Sequence, residues 1–476
     1  MKSSIRKWIA CVLIVLFTCA TAGCRDPFAE SGKLQDGKYN ITIACQAKDG
    51  EVSMLRTLKE AYEAKNPDVN IVISDFGDES TLLDSYMTNY ASMKDKLPMM
   101  IWVPDDLFAL WAKGGNFIDL RPFYEQDEST DYSLYYESML HAASYSGEFR
   151  PTTSYSGDFV SANGNSDAEE YGLYFAPRDY NKIAIVYNTK LFNRFGIEVP
   201  DFTQNWNMET FIAFTQSVAD KIKARGTAYG AYRALHLFTQ WEPVYTTVFK
   251  AMGSDGLVQN GKLVLDDAKN QEIMDTLYDN LYSYDKAIST SDSFKQGTVC
   301  MDVICRSDFL NILLTLKDDD GSAIADFMPF PAEDIGAGCS GYAITKVHAD
   351  EVQTVNGVSK TTKEICWDFI KYILSEEGQE LAGSTGLLQP ILKSLEENGA
   401  WRSAVSKDLN HDAFVAGNEL RLTTYNTFDP VNRTKLRGLM TDFFQTLEDK
   451  TEGKNDSEHR QKYISNIMAE FNSLAV

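Results

Sequence analysis

The sequence predicts an α/β protein built as two lobes. Three observations carry this. Residues 39–103 follow a strand–helix–strand–helix–strand pattern. From Lys182 onward the chain repeats that style. The 453 residues left of 476 after the first 23 also exceed one core, since a single hydrophobic core stops growing at roughly 250–300 residues. Strands that alternate with helices settle into parallel sheets covered by those helices.

The chain opens on a leader. Lys2, Arg6 and Lys7 form a basic start, Trp8 to Ala20 is almost wholly apolar, and Thr21-Ala22-Gly23 is small. This is the pattern of a secretory signal peptide over residues 1–23. The apolar run is shorter than the roughly 20 residues a membrane span needs. The small residues end on Cys24, and the run resembles a bacterial lipobox, with Thr21 where Leu is preferred. The resemblance implies that Cys24 is acylated and becomes the new N-terminus. An ordinary cleaved signal beside a chance cysteine is the plainer alternative. Residues 24–37 are polar, lack periodicity and read as a tether.

Tyr39 to Ala44 alternates and is β-rich, which predicts a strand. Glu51 to Lys65 sets Leu55, Leu58 and Tyr62 on one helical face, and Asn66-Pro67 stops it. Val69–Ser74 and Met99–Val103 are expected strands, with a helix over Leu82–Ser92 between them. Residues 126–169, rich in Ser, Tyr, Asp, Glu and Gly, read as a long, partly ordered insertion. Strands follow at Lys182–Tyr187, Gly297–Ile304, Ala325–Phe330 and Gly341–Thr345. Helices are expected at Met208–Arg225, at Lys363–Ala382 and over most of Leu436–Leu474. No later stretch is apolar for long enough to cross a bilayer.

The formal net charge is −23. This argues against nucleic acid, whose phosphates need a surplus of Lys and Arg. It equally argues against a body that lies on an anionic membrane surface. Of eight cysteines, Cys11 and Cys19 leave with the leader and Cys24 is the lipid candidate. Cys45, Cys300, Cys305, Cys339 and Cys366 remain, an odd number without CxxC or Cys/His metal spacing. They read as small buried hydrophobes, with a Cys300–Cys305 bridge as an alternative. No metal or cofactor is expected. Nor is a catalytic residue, since GxSxG, HExxH and P-loop patterns are missing.

An ordered series of motifs then points to a family. Lys182-Ile-Ala-Ile-Val-Tyr-Asn-Thr-Lys-Leu-Phe192, with Gly196, Ile197, Pro200 and Trp206, is similar to the central signature of family 1 extracellular solute-binding proteins. Met100 to Asp105, followed by Gly115 to Leu120, resembles their third strand and the turn beyond it. Phe294 to Met301, Trp367 to Tyr372 and Ser375 to Gln379 resemble later elements in the same order. The resemblance runs from residue 38 to about 395 and more loosely beyond.

This resemblance implies a two-lobed, periplasmic-binding-protein-like fold of type II, of the maltose-binding-protein kind. Its lobes close by a hinge around a ligand in the cleft. Lobe 1 is expected over 38–178 and 339–390, and lobe 2 over 179–338 and 391–476. Crossings are expected near Pro177–Asn181, Gly338–Gly341 and Gln389-Pro390. The resemblance further implies a lipoprotein anchored outside the cytoplasm, monomeric, and serving the permease and ATPase of an ABC importer. Its ligand would be a mono- or oligosaccharide.

A sugar offers a C–H face to aromatic rings and hydroxyls to planar polar groups. Such sites gather at the carboxyl ends of strands. Gln46 follows the first strand. Trp102 and Asp105 end the third, where the family borders its cleft with an aromatic and a sugar-contacting acid. Their plainer readings are a core residue and a helix N-cap. At the first crossing stand Arg178 and Asn181, the latter where the maltose-binding relative carries a carboxylate. Trp241 and Glu242 match aromatic and acidic contacts from the second lobe, and Trp241 alternatively packs between helices. Arg306 follows a strand, with Ser307 where the family often has a stacking Trp. Ser340 sits in a Gly-rich segment read as a ligand loop or a tight turn. Tyr425 and Phe428 fall where a C-terminal aromatic lines the cleft. Two readings compete with a sugar. An acidic cleft with Trp102 and Trp241 also suits polyamines, peptides or organic cations, and paired carboxylates also serve glycoside hydrolases.

Overall fold

The structure is a computed structural model. It describes residues 33–47, 50–76, 97–105, 108–113, 115–145, 149–152, 171–237, 241–259, 262–289, 294–404, 408–415, 418–420, 438–439 and 457–474. The leader, Cys24, most of the tether, the expected helix at Leu82–Ser92, Tyr425 and Phe428 lie outside them.

In chain order the strands begin with β1 (Tyr39–Gln46), β2 (Val69–Phe76), β3 (Met100–Pro104), β4 (Ala176–Pro177), β5 (Asn181–Asn188) and β6 (Arg233–His236). A hairpin of β7 (Val258–Gln259) and β8 (Lys262–Leu263) precedes β9 (Val299–Cys305), β10 (Ala325–Pro329), β11 (Asp334–Gly338) and β12 (Ser340–Ile344). A second hairpin, β13 (Val352–Val355) and β14 (Val358–Thr361), and β15 (Asn418–Leu420) complete the set. The helices that matter below are α1 (Glu51–Lys65), α2 (Met208–Lys223), α3 (Glu242–Ala251), α4 (Arg306–Thr315), α5 (Thr362–Leu374), α6 (Glu376–Gly383) and α7 (Ser457–Leu474).

Two mixed sheets form the frames of the two lobes. One has the order β2-β1-β3-β12-β4, and the other β15-β11-β5-β9-β6 with β10 also on β5. In the first, β1 runs parallel to β2 and β3, and β12 enters antiparallel with Tyr342 opposite Trp102. Every residue of β3 and β12 is buried. Sheets covered on both faces select such continuous apolar runs. α1 lays Met54, Leu55, Leu58 and Tyr62 on this sheet. Its end is set by Asn66, whose N–H returns to Tyr62 O before Pro67.

In the second sheet β5 is central. It runs antiparallel to β9, β10 and β11, while β6 is parallel to β9. α2 starts at an Asn207–Thr210 capping box and buries Phe211, Ile212, Thr215, Val218 and Ile222. Separate hydrophobic cores belong to the two sheets, and a smaller third one joins β5 to Trp401 and Phe414.

Three expectations change. The helix over Lys363–Ala382 is two helices, broken at Ser375, whose backbone is extended and whose hydroxyl caps α6 by accepting from Gly378 N–H. A Cβ on Gly378 would lie 2.1 Å from Tyr372 O, so the kink depends on a glycine there. Within the 126–169 insertion, the described residues 126–145 hold Asp127 and Asp131, which cap short 3-10 turns. Tyr135, Tyr136 and Met139 of that stretch enter the first core. The first core also continues past Gln389-Pro390 to Leu395. The five cysteines from Cys45 onward are buried thiols outside any disulfide. Five extended residues separate Cys300 from Cys305 by roughly 16 Å, beyond the about 7 Å that a disulfide spans. Among the described residues no helix is long and apolar enough to cross a membrane.

Candidate functional site

The two sheets meet end to end. β4 stops at Pro177 and β5 starts at Asn181. β11 stops at Gly338 and β12 starts at Ser340. The chain thus passes between sheets once through three residues and once through one. The segment Gly338-Cys339-Ser340-Gly341 is therefore an extended passage rather than a Gly-rich loop or tight turn. The first sheet brings the carboxyl ends of β1 and β3 to this junction, with Gln46 and Asp105. Gln46 is half-buried there. The second sheet brings Asn181, Gly338 and the far end of β9.

Trp241 arrives from the second lobe. It is the extended residue that begins α3, with its carbonyl accepting from Val244 N–H. Glu242 is the first helical residue and is half-buried. α3 reaches this place because β11 carries glycines. A Cβ on Gly336 would lie 2.7 Å from Pro243 O, and Gly336 N–H donates to Thr247 Oγ1 at 2.7 Å.

Gly338 is where the two lobes converge. A Cβ there would lie 2.6 Å from Trp241 Cζ2 and 3.6 Å from Asp105 Oδ1. Asp105 is fixed by its own N–H, which donates to Cys339 O at 3.0 Å. An indole edge from one lobe and a carboxylate from the other therefore share one point on the passage between sheets. Both side chains are only partly buried.

Other expected contacts face inward. Arg178 is 3 % exposed and grips Glu51 with two bonds, Nη1 to Oε1 at 2.9 Å and Nη2 to Oε2 at 2.7 Å. Nη2 also reaches Ser340 Oγ at 3.0 Å and Asp179 Oδ2 at 3.3 Å. Ser340 donates its N–H to Asp179 Oδ1 at 2.6 Å and its hydroxyl to Oδ2 at 2.8 Å. Tyr342 hydroxyl donates to Glu51 at 3.0 Å. Arg178 and Ser340 thus belong to an interior ion cluster. Burial holds the carboxyls of Glu51 and Asp179 above the usual carboxylate range, against the pull of Arg178. Burial opposes the charge on Arg178 too, but its carboxylate neighbours keep it above the ordinary arginine value.

Arg306 is likewise interior. It donates to Trp401 O at 2.6 Å and lies over the Trp401 and Phe414 rings. Burial pulls its pKa down to about 9, with Arg402 adding repulsion. Asn181 and Ser307 bond reciprocally, Nδ2 to Oγ and N–H to Oδ1, both at 3.2 Å. Trp102 is 3 % exposed within the first core, and its indole N–H has no partner among the described residues. Glu51 is the residue that the sequence reading missed. Its signal was an acid in register with Met54, Leu55 and Leu58 on the apolar face of α1. Among the described residues no His, Cys, Asp and Glu group is placed to hold a metal.

The sequence matches the family model for bacterial extracellular solute-binding proteins over residues 57–408. No curated protein matches it. Among solved structures, the chain is similar to an ABC substrate-binding protein of Listeria monocytogenes in complex with cycloalternan. The TM-score is 0.65 at 14 % identity, covering 92 % of this chain and 98 % of that one. It is also similar to maltose-bound MalE3 of T. maritima, with TM-score 0.63, 14 % identity, and 92 % and 100 % coverage. UgpB of Mycobacterium tuberculosis, in complex with glycerophosphocholine, gives TM-score 0.65 at 13 % identity, covering 92 % and 98 %. These likenesses establish the two-lobed fold.

Proposed function

The chain belongs to the bacterial extracellular solute-binding proteins, and from that premise we propose that it captures a carbohydrate between its lobes for an ABC importer. The observation that carries this reading is the meeting of Trp241 and Asp105 at Gly338. An aromatic face for sugar C–H groups and a carboxylate for its hydroxyls, offered from opposite lobes, suit a carbohydrate and couple its binding to closure. Glu242 and Gln46 add polar groups at the same rim, and Trp102 lies behind it. The sugar-bound neighbours from Listeria monocytogenes and T. maritima favour this ligand class. The glycerophosphocholine complex of UgpB keeps an organic cation as the competing one.

In this reading lobe 1 comprises 38–180 and 339 to about 395, lobe 2 comprises 181–338 and the chain beyond about 395, and the protein works as a monomer. It presents the closed complex to a permease driven by an ATPase, and it is no enzyme. Cys24 carries the lipid that tethers it outside the cytoplasm. Cys24→Ser should abolish incorporation of a labelled fatty acid and leave precursor with its leader. Undiminished labelling contradicts the anchor.

Trp241→Ala tests the cleft. Stacking contributes roughly 0.5–1.5 kcal/mol beyond the buried area, so affinity for the best sugar of a calorimetric panel should fall at least about tenfold. The unfolding free energy of the empty protein should barely move. If instead stability falls by about 3–5 kcal/mol, as for a buried Trp, and affinity holds, Trp241 is a core residue. Products formed from the panel sugars would favour a hydrolase.

A further inference from the structure

We infer that the buried cluster of Glu51, Arg178, Asp179 and Ser340 rivets two chain crossings to the first lobe, so that bending is confined to the Tyr180–Asn181 and Gly338–Cys339 junctions. The bonds on either side of each junction carry this. On the first-lobe side, Arg178 is held by Glu51 of α1, and its carbonyl accepts from Gln379 of α6 at 3.1 Å. Arg178 N–H donates to Ser340 O at 3.0 Å, and Asp179 receives both donors of Ser340. The two crossings are thereby locked to each other as well as to the lobe. Tyr180 still belongs to that body. Its N–H donates to Gln389 O at 2.9 Å, and its ring stacks on Tyr136 with centroids 4.3 Å apart. Cys339 belongs to it too, since its carbonyl accepts from Asp105 N–H.

One residue further, the allegiance changes. Asn181 exchanges two bonds with Ser307 at the start of α4. Gly338 is the register partner of Asn181 within the second sheet, as Ala337 is of Lys182. The two junctions therefore lie side by side on one line, and among the described residues no side-chain bond of the cluster crosses it. Hinges are a few terminal residues of elements that absorb a change in φ and ψ, and here the cluster dictates which residues those are. Because Gly338 also underlies Trp241 and Asp105, rotation about this line moves the indole relative to the carboxylate. Glu51 is then a positioning residue. It acts on the cleft through Arg178, without touching a ligand.

The inference uses the closure proposed above, but its test needs no ligand, so a wrong ligand assignment leaves it standing. Spin labels on E60C in α1 and S217C in α2, both exposed, report the distance between lobes in the empty mature chain. The native thiols of the described residues are buried and should stay unlabelled. Ser340→Ala removes the hydroxyl that links Asp179 to Arg178, while the backbone contacts remain. The distance distribution should at least double in width, and Glu51→Gln should widen it further. Ser340→Thr, which restores the hydroxyl, should return it to the parent width. A lowered melting temperature with unchanged width would reduce the cluster to ordinary stabilisation and overturn the inference. So would a width that Ser340→Thr fails to restore.

Discussion

Arg178→Met should lower the unfolding free energy by about 3–5 kcal/mol, the usual cost of leaving buried charges without their partner. Arg178 faces two carboxylates in the interior, Glu51 at 2.7 Å and Asp179 at 3.3 Å. Methionine matches its length but none of its donors, so among the described residues Glu51 keeps only the Tyr342 hydroxyl as a side-chain donor. Both acids would then respond by binding protons, which returns part of the loss as pH falls. Urea unfolding at neutral and mildly acid pH measures this. The double variant with Glu51→Gln should recover much of the stability, because removing both members of a buried pair costs far less than removing one. A loss under about 1 kcal/mol would mean that water reaches the cluster in solution and that the charges are not interior.

Gly338→Val should cut ligand affinity by at least about 100-fold, or about 2.7 kcal/mol, with a far smaller effect on folding. Valine suits a strand backbone. Its Cβ, however, would fall 2.6 Å from the Trp241 ring, and its methyls would extend into the space beside Asp105. The indole is half-buried and at the start of a helix, so it is expected to swing outward, away from the place where a ligand would stack. Gly338→Ala should give a smaller loss in the same direction. Calorimetric titration of both variants beside their unfolding curves separates the effects. Unchanged affinity for Gly338→Val would place the ligand elsewhere.

Local pattern made the framework legible. Tyr39–Ala44, Glu51–Lys65 and Val69–Ser74 alternate or repeat in ways that only one secondary structure satisfies, and the structure has those elements within two residues. Trp241-Glu242-Pro243 begins a helix, where proline fits the first turn. The break at Ser375 was not legible. The residues beyond it, Glu376 to Gly383, are again helical, and the kink between the two helices shows in sequence only as Gly378, where a Cβ would meet Tyr372 O. The burial of Arg178 and Arg306 was not legible either, for a related reason. A charged residue beside a crossing looks available to a ligand until its partner is known, and Glu51 lies 127 residues away in sequence. Ser340 followed Arg178 inward because both of its donors meet Asp179.

Titration calorimetry of the mature chain against maltose, maltotriose, cyclic and linear glucans, ribitol, glycerophosphocholine and spermidine tests the proposed function most directly. At least one carbohydrate should bind saturably and one to one, with binding weakened by Trp241→Ala and by Asp105→Asn. Tight binding of spermidine or glycerophosphocholine, with every carbohydrate silent, would contradict the proposed function.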